Sequence, residues 1–252
     1  MAHVNDKYDR AGMLIIEVYL ETSEGKRDEV IEIAHANVAG TRQENGNLYY
    51  THYASIENDT EMFVYEQWKN NLYNIRDHTS SAHYEPFAAK RRKRLVPNSY
   101  GITFWLTQND ADFSKELKLA SLNPVDELKK SDVESDEKRM IIVDVHYEAK
   151  AGKREEVMEL ANWIMHGTRN YKGNIRYAHY RSIENDTGMF SFERWESRED
   201  MIWYLRSEKH KEFIQKLKPL IEEDSYKVRM YEVDEMTFVN RSNRDFVKNQ
   251  VN

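Results

Sequence analysis

Residues 55–60 read Ser-Ile-Glu-Asn-Asp-Thr, and the same six residues return unchanged at 182–187. A shift of 127 positions carries residue 55 onto residue 182 and aligns the two halves of the chain without a gap. From Gly25 to Trp68, 25 of the 44 positions are identical to their shifted partners. Identity of that extent shows an internal duplication, and a unit of about 100 residues is large enough to bury a core of its own.

Both copies carry the same order of predicted elements. The β-branched and aromatic runs at 13–20 and 140–147 predict first strands. Apolar residues at helical spacing follow Gly25 and Gly152 and predict a helix with one apolar face. The Asn-Asp pair of each repeated stretch predicts the turn of a hairpin, and short helices and a last strand complete each copy.

The order β-α-β-β-α-β is that of the ferredoxin-like unit, which is an α+β fold. Its helices cover only one face of the sheet, so the other face needs a cover. We therefore expect the two ferredoxin-like repeats to pack as an intramolecular dimeric α+β barrel. The predicted domains are residues 11–107 and 139–240, with a charged linker at 108–138 that includes a helical piece at 113–122, and a C-terminal tail at 241–252.

Composition excludes several kinds of function. The formal net charge of −7 disfavours a nucleic-acid binder, which needs a basic face. The basic run at 90–94 is interpreted as the C-terminal turn of a helix, where cations complement the helix dipole. Because the chain has no cysteine, disulfides, thiolate nucleophiles and iron–sulfur clusters are excluded.

Two further absences concern cofactors and membranes. The nine glycines form neither a dinucleotide-binding nor a phosphate-binding loop, so we expect chemistry without a cofactor. The first ten residues are polar, and no apolar run approaches the 18 or so residues of a membrane span. The sequence therefore predicts a cytoplasmic protein that does not bind membranes.

One motif resembles a known family. Residues 41–50 read Thr-Arg-Gln-Glu-Asn-Gly-Asn-Leu-Tyr-Tyr, residues 63–68 read Phe-Val-Tyr-Glu-Gln-Trp, and His78 and His83 follow. This pattern resembles the antibiotic biosynthesis monooxygenase family, over nearly all of the first copy and most of the second. The resemblance implies a dimeric α+β barrel that acts on a small molecule, and relatives include quinol oxygenases, heme-degrading enzymes and signal-molecule-processing enzymes.

The chain departs from two of those relatives. Quinol-oxidising members carry an Asn a few residues before the Trp, where this chain has Val64 and Ser191. Heme degraders carry an Asn in the first strand, where it has Val18 and Val145. They also carry a His late in the second helical region, where Ala88 and Gln215 stand, so heme degradation is disfavoured.

Histidines and aromatic residues provide the candidate site. The catalytic candidates are His52, His83, Trp68 and His78, and the substrate-binding candidates are Tyr50, Tyr73, His179, Trp195 and His210. A His beside Tyr hydroxyls on the second strand is either a general base or a packed core residue. Each Trp either stacks on an aromatic substrate or fills the core.

Charged neighbours and spacing limit these roles. Glu66 and Glu193 lie two residues before the tryptophans and, if buried, are expected to pair with Arg42 and Arg169. His78 and His83 are five residues apart and would not share a face of one helix, so no metal site is expected. Since the second copy has Leu205 in place of His78, the first copy is the better candidate for activity.

The leading hypothesis is a cofactor-independent monooxygenase acting on a small phenol- or quinol-type aromatic substrate with O₂. One alternative is a proton-transfer isomerase or signal-molecule-processing enzyme of the same fold. Another is a barrel that binds an apolar ligand without catalysis. The predicted internal pseudo-dimer is compatible with a further association of chains into a homo-oligomer.

Overall fold

A computed structural model describes residues 12–69, 72–107 and 139–236. In this part the chain forms two compact units, the first ending at Thr107 and the second running from Arg139 to Val233. The predicted linker at 108–138, with its helical piece, and the tail at 241–252 lie outside the described residues.

The first unit contains four strands and three helices. They are β1 (Met13–Glu21), α1 (Arg27–Thr41), β2 (Asn47–Ser55), β3 (Glu61–Lys69), α2 (Leu72–Thr79), α3 (Tyr84–Arg92) and β4 (Gly101–Thr107). Strand β1 pairs with β3 on one side and β4 on the other, and β3 also pairs with β2, all antiparallel. The strand order is therefore β4-β1-β3-β2, that of a ferredoxin-like sheet.

The second unit repeats this plan. Its elements are β5 (Met140–Glu148), α4 (Arg154–Thr168), β6 (Asn174–Ser182), β7 (Gly188–Trp195), α5 (Arg198–Leu205), α6 (Glu208–Leu217) and β8 (Lys227–Met236). The antiparallel pairs give the order β8-β5-β7-β6. The predicted α+β fold with two ferredoxin-like units is confirmed, and the packing of the units into one barrel stays a prediction.

Helix α1 packs one face onto the sheet of the first unit. Val30, Ala34 and Val38, spaced four apart, are buried, as expected for an amphipathic helix. Asn37 is buried on the same side, where its Nδ2 donates to the Tyr50 hydroxyl at 2.8 Å. Helix α1 thus covers the sheet face that carries Tyr50.

Two local features position β2. Gly46 has a positive φ of 82°, and a Cβ there would lie 2.1 Å from Nδ2 of Asn74. Glycine therefore lets the chain turn tightly beneath α2. The β2–β3 register then shifts between Asn47 and Tyr49, and Leu48 is 50% exposed. Because of this irregularity, Leu48 does not lie on the buried face of Tyr50, although strict alternation along a strand would place it there.

Among the described helices, none has the length and apolar character needed to span a bilayer.

Candidate active site

The helix-facing side of the first sheet, together with α2 and α3, carries a group of ionisable and aromatic side chains. We name it the first-unit cluster, and it consists of Glu44, Tyr50, His52, Glu66, Trp68, His78, His83, Tyr84 and Arg91. The strand members alternate on β2 and β3, which places their side chains on one face of the sheet. Five of the predicted site residues meet here: Tyr50, His52, Trp68, His78 and His83.

His78 lies at the centre of the cluster. Its Nδ1 is 2.7 Å from Oε2 of Glu44, and a carboxylate can only accept, so Nδ1 carries the proton. Its Nε2 is buried and has no hydrogen-bond partner among the described residues. The ring lies 5.2 Å from that of Trp68 and 4.5 Å from that of Tyr84, between centroids. An unoccupied acceptor nitrogen therefore faces aromatic walls.

Burial also sets the charge of His78. Its side chain is 3% exposed, and desolvation lowers the pKa below its usual value although Glu44 works in the opposite direction. Taking a charged imidazole out of water is costly, which is why desolvation prevails. The ring is thus neutral near pH 7 and can accept a proton.

His83 approaches the same carboxylate from the rim of the cluster. It is the N-cap residue of α3, and its Nε2 is 3.3 Å from Oε1 of Glu44 and 3.3 Å from Oγ1 of Thr41. Its side chain is 29% exposed. Glu44 therefore contacts both histidines.

The prediction that His78 and His83 diverge is wrong, because it assumed one continuous helix. Helix α2 ends at Thr79 and α3 begins at Tyr84. The intervening turn brings one potential ligand atom each of Glu44, His78 and His83 within 4.8 Å of one another. These three side chains are the group in the described part of the chain that could hold a metal ion.

His52 is more deeply packed. It is fully buried, its Nε2 lies 3.2 Å from the hydroxyl of Tyr50, and its ring meets the edge of Phe87 at 5.5 Å. Burial, aided by the nearby Arg91, holds the pKa of His52 well below its usual value. Of the two interpretations of His52, general base or packed core residue, this environment favours the packed core residue.

Glu66 and Trp68 form a pair within β3. The indole Nε1 of Trp68 donates to Oε2 of Glu66 at 2.8 Å. Desolvation raises the pKa of Glu66 to about 7, so this carboxyl is partly protonated near neutral pH. The expected ion pair with Arg42 is wrong, because the Arg42 guanidinium donates to the Tyr50 carbonyl and to Oγ1 of Thr51.

The second unit has the same pair. Nε1 of Trp195 donates to Glu193 at 2.9 Å, and burial raises the pKa of Glu193 to about 7. The expected partner Arg169 instead donates to the Tyr177 carbonyl at 2.9 Å. A carboxyl that takes its hydrogen bond from the neighbouring indole is therefore common to both units.

Arg91 is a member of the cluster that the sequence analysis missed. It was assigned to a solvated helix end, but it is only 5% exposed. Its guanidinium carbon lies 4.8 Å from the ring centre of Phe87 and 5.0 Å from that of Tyr100. The spacing from Phe87 to Arg91 is one helical turn, which puts both on one face of α3. This helical spacing is the feature of the sequence from which the burial of Arg91 could have been predicted.

Tyr73, a predicted substrate-binding residue, lies on α2 at half-buried depth. The guanidinium of Arg76 covers its ring at 4.6 Å from the centroid. A cation over the ring face is a common surface arrangement. The role proposed for Tyr73 stays a prediction.

In the second unit, Tyr204 fills the space beside the tryptophan. Its ring stacks on Trp195 with centroids 5.0 Å apart and planes at 27°. Its hydroxyl lies 3.2 Å from that of Tyr177 and 3.0 Å from Oγ1 of Thr168. In the first unit the corresponding side of Trp68 faces His78. The second unit thus replaces an acceptor by a hydrogen-bonded phenol.

The two predicted histidines of the second unit are packed. Nδ1 of His179 lies 3.1 Å from the Tyr147 hydroxyl, and burial lowers its pKa to about 3. Nδ1 of His210 donates to the Leu205 carbonyl at 3.1 Å, and burial lowers its pKa to about 4. Both imidazoles are therefore neutral across the physiological range.

Five cluster positions differ between the units. Beyond Trp68 equivalent contacts lie 126 rather than 127 residues apart, since His52 meets Phe87 as His179 meets Phe213, so the expectation that Leu205 replaces His78 is wrong by one residue. The residues at the positions of Glu44, His78, His83, Tyr84 and Arg91 are Tyr171, Tyr204, Lys209, His210 and Leu217. The second unit therefore lacks the carboxylate–imidazole pair and the buried guanidinium. It provides matched control positions within the same chain.

Comparison with known proteins matches both units to one family. The sequence profile described as "Antibiotic biosynthesis monooxygenase" matches residues 13–90 and 140–216. A Bacillus subtilis (strain 168) protein, "Putative monooxygenase YcnE", is 26% identical over 83 residues, which are 33% of this chain and 86% of that protein.

Solved structures were also compared. A crystal structure of a "Putative monooxygenase" from Fusobacterium nucleatum aligns with a TM-score of 0.40 and 15% identity, over 91% of this chain and 96% of that one. A structure from Mycobacterium tuberculosis aligns with a TM-score of 0.34 and 20% identity, over 36% of this chain and 91% of that one.

Proposed function

Because the chain belongs to the antibiotic biosynthesis monooxygenase family, we propose that its first unit is a monooxygenase that oxidises a small hydroxylated aromatic compound without a bound cofactor. One observation carries the proposal. His78 is held by Glu44 through Nδ1 while its other nitrogen, Nε2, is buried, unpartnered and faced by aromatic rings. This is the geometry of an oriented general base.

The proposed reaction begins with proton transfer. Nε2 of His78 takes the proton of a phenolic hydroxyl, and Glu44 stabilises the imidazolium that results. The electron-rich phenolate then reacts with O₂ at the ring carbon para to the oxygen and forms a peroxide there. Loss of water from this peroxide gives the quinone, so that one phenol and one O₂ yield one quinone and one water. The substrate supplies all the electrons, and one oxygen atom enters the product.

The aromatic members of the cluster would position the substrate. The rings of Trp68 and Tyr84 both lie beside the ring of His78, and flat aromatic rings favour offset-stacked or edge contacts with one another. Tyr84 and His83 are half-buried, so access is proposed from their side. Holding the ring carbon and the base together lowers the entropic part of the barrier.

Oxygen consumption with 1-naphthol tests the proposal. Variants His78→Gln and Glu44→Gln are compared with the wild type, and Tyr204→Phe and Tyr171→Phe serve as matched controls in the second unit. We expect kcat to fall roughly 10²- to 10⁴-fold in His78→Gln, the usual range for a lost general base. With ¹⁸O₂, the quinone should gain one labelled atom. Equal rates in the wild type and His78→Gln, or no turnover by the wild type, contradict the proposal.

Two further experiments distinguish the proposed oxidation from other reactions that this site could catalyse. Turnover under nitrogen would favour proton-transfer isomerisation, because a Glu-oriented imidazole can also move a proton at carbon. Activity is expected to survive exhaustive chelation. Activity that is lost to a chelator and restored by a divalent ion would contradict the proposal and assign Glu44, His78 and His83 as metal ligands.

A further inference from the structure

Arg91 is a buried cation that has no anionic partner in the described part of the chain. It is 5% exposed, its Nε has no hydrogen-bond partner, and no carboxylate of the described residues lies within ion-pair distance of it. Its one hydrogen bond joins an Nη to the hydroxyl of Tyr100 at a long 3.4 Å. A buried charge is costly unless it is paired. The desolvation of Arg91 is therefore not offset by an ion pair in the folded unit.

The surroundings of Arg91 compensate little of its charge. Phe87 and Tyr100 face the guanidinium with their rings, and such contacts offset part of the desolvation. Glu66 lies close enough to interact electrostatically, but burial raises its pKa to about 7, so it is partly neutral. Tyr50, Tyr84, His52 and His78 are further ionisable neighbours that interact with Arg91, and none of them is a carboxylate.

The corresponding residue of the second unit behaves differently. It is Leu217, because Phe87 meets His52 as Phe213 meets His179, and Leu217 is fully buried and uncharged. The fold therefore does not require a buried cation at this position. A buried guanidinium in the first unit alone indicates a function of that unit rather than a need of the architecture.

We propose that Arg91 binds the anionic group of the ligand of the first unit, and that this ligand is an aromatic carboxylate. The guanidinium presents donors in a planar fork that matches a carboxylate in a bidentate manner. Arg91 shares the cluster with the aromatic rings near His78, so the carboxylate and the ring of one ligand would be held together. This inference rests on the proposed function in one respect, that the substrate and its carboxylate bind in the same cluster. It concerns binding of the ligand and not its turnover.

The test compares two flat ligands of nearly the same shape, 2-naphthoate and the uncharged 2-naphthamide. Titration calorimetry on the full chain, without oxygen or turnover, measures both affinities. We expect the wild type to bind naphthoate about 10- to 100-fold more tightly, as for a charge-assisted hydrogen-bonded pair. Arg91→Met should bind the two ligands with about equal affinity. Its affinity for naphthamide should stay within about threefold of the wild type.

Two control variants complete the experiment. Arg92→Met removes an exposed cation from the same helix, and Lys218→Met removes an exposed cation directly after helix α6 of the second unit. Both should keep the preference for naphthoate, and Arg91→Lys should keep part of it. Equal binding of the two ligands by the wild type, no binding of either at millimolar concentration, or an undiminished preference in Arg91→Met would overturn the proposal.

Thermal unfolding provides a second readout that a structural role would move. Removing an unpaired buried cation should leave the Tm of Arg91→Met unchanged or raised. A fall of more than about 10 °C, or failure to fold, would make Arg91 a structural residue and overturn the proposal. If turnover of 1-naphthol is absent but the naphthoate preference depends on Arg91, the monooxygenase proposal fails and this one stands.

Discussion

Replacing Glu66 by Gln separates the charge of this buried carboxyl from its shape. Glu66 is 7% exposed, and its Oε2 accepts from Nε1 of Trp68 at 2.8 Å. The amide oxygen of Gln can accept the same hydrogen bond but cannot ionise. The variant therefore removes only the cost of ionising a buried acid, and the pH dependence of stability reports that cost.

The sign and size follow from the pKa of Glu66. Burial raises this pKa from 4.5 to about 7 in the folded chain, so the folded state holds a proton that the unfolded state releases between these two values. Stability therefore falls as pH rises through this window and levels off above it. A difference of about 2.5 pKa units at about 1.4 kcal/mol per unit is about 3 kcal/mol at full ionisation.

Urea unfolding followed by tryptophan fluorescence at pH 5 and pH 8 measures the effect. Between these pH values the free energy of unfolding of the wild type should fall by roughly 2.5 kcal/mol more than that of Glu66→Gln. The difference is smaller than at full ionisation because part of the ionisation of Glu66 in the unfolded state is already complete at pH 5. Glu193→Gln should behave in the same way, because Glu193 has the same indole partner and a pKa raised to about 7. The exposed Glu32→Gln is the control that should follow the wild type. Identical pH dependence in the wild type and Glu66→Gln would refute the burial argument.

Three further expectations concern other positions. Tyr204→Ala should lower stability by about 3–5 kcal/mol by leaving a cavity, with naphthol turnover unchanged; a large loss of turnover would place activity in the second unit. Gly46→Ala should destabilise more than Gly25→Ala in urea unfolding, because both have positive φ but only at Gly46 would a Cβ collide with a neighbour; equal effects would mean that the neighbour moves freely. Because burial lowers the pKa of His78, the acid limb of the kcat profile should lie below pH 6.5, and a limb above pH 7 would exclude this base.

The fold was accessible from the sequence because of the duplication. Positions such as Gly25 and Gly46 return 127 residues later, and they mark the same helix start and helix end twice. Both have positive φ, as do Gly152 and Gly173. A turn signal that appears twice in the same register is much stronger evidence than one that appears once.

The site was only partly accessible, for a physical reason. The motif that resembles the family named Trp68 and His78 as candidates, whereas helical spacing wrongly separated His78 from His83 because it acts over a few residues of one helix. Glu44 lies 34 positions before His78 and meets it through the packing of α2 on the end of α1, a tertiary contact that local spacing does not report. Arg91 was hidden for another reason, since a run of five basic residues masks the one that points inward.

The distribution of unsatisfied buried atoms connects site and duplication. Nε2 of His78 and Nε of Arg91 are buried without partners among the described residues. At the equivalent positions the second unit has Tyr204, whose hydroxyl bonds to Thr168 and Tyr177, and Leu217, which has no polar side-chain atom. A buried polar atom without a partner costs about 1–3 kcal/mol, and the second unit shows that the same fold forms without either of them. Nε2 of the packed His179 is also buried without a partner in the described part of the chain, so such atoms alone do not distinguish the units. Because buried polar atoms persist where a ligand completes them, the combination of His78 and Arg91 supports the proposal that a substrate binds in the first unit.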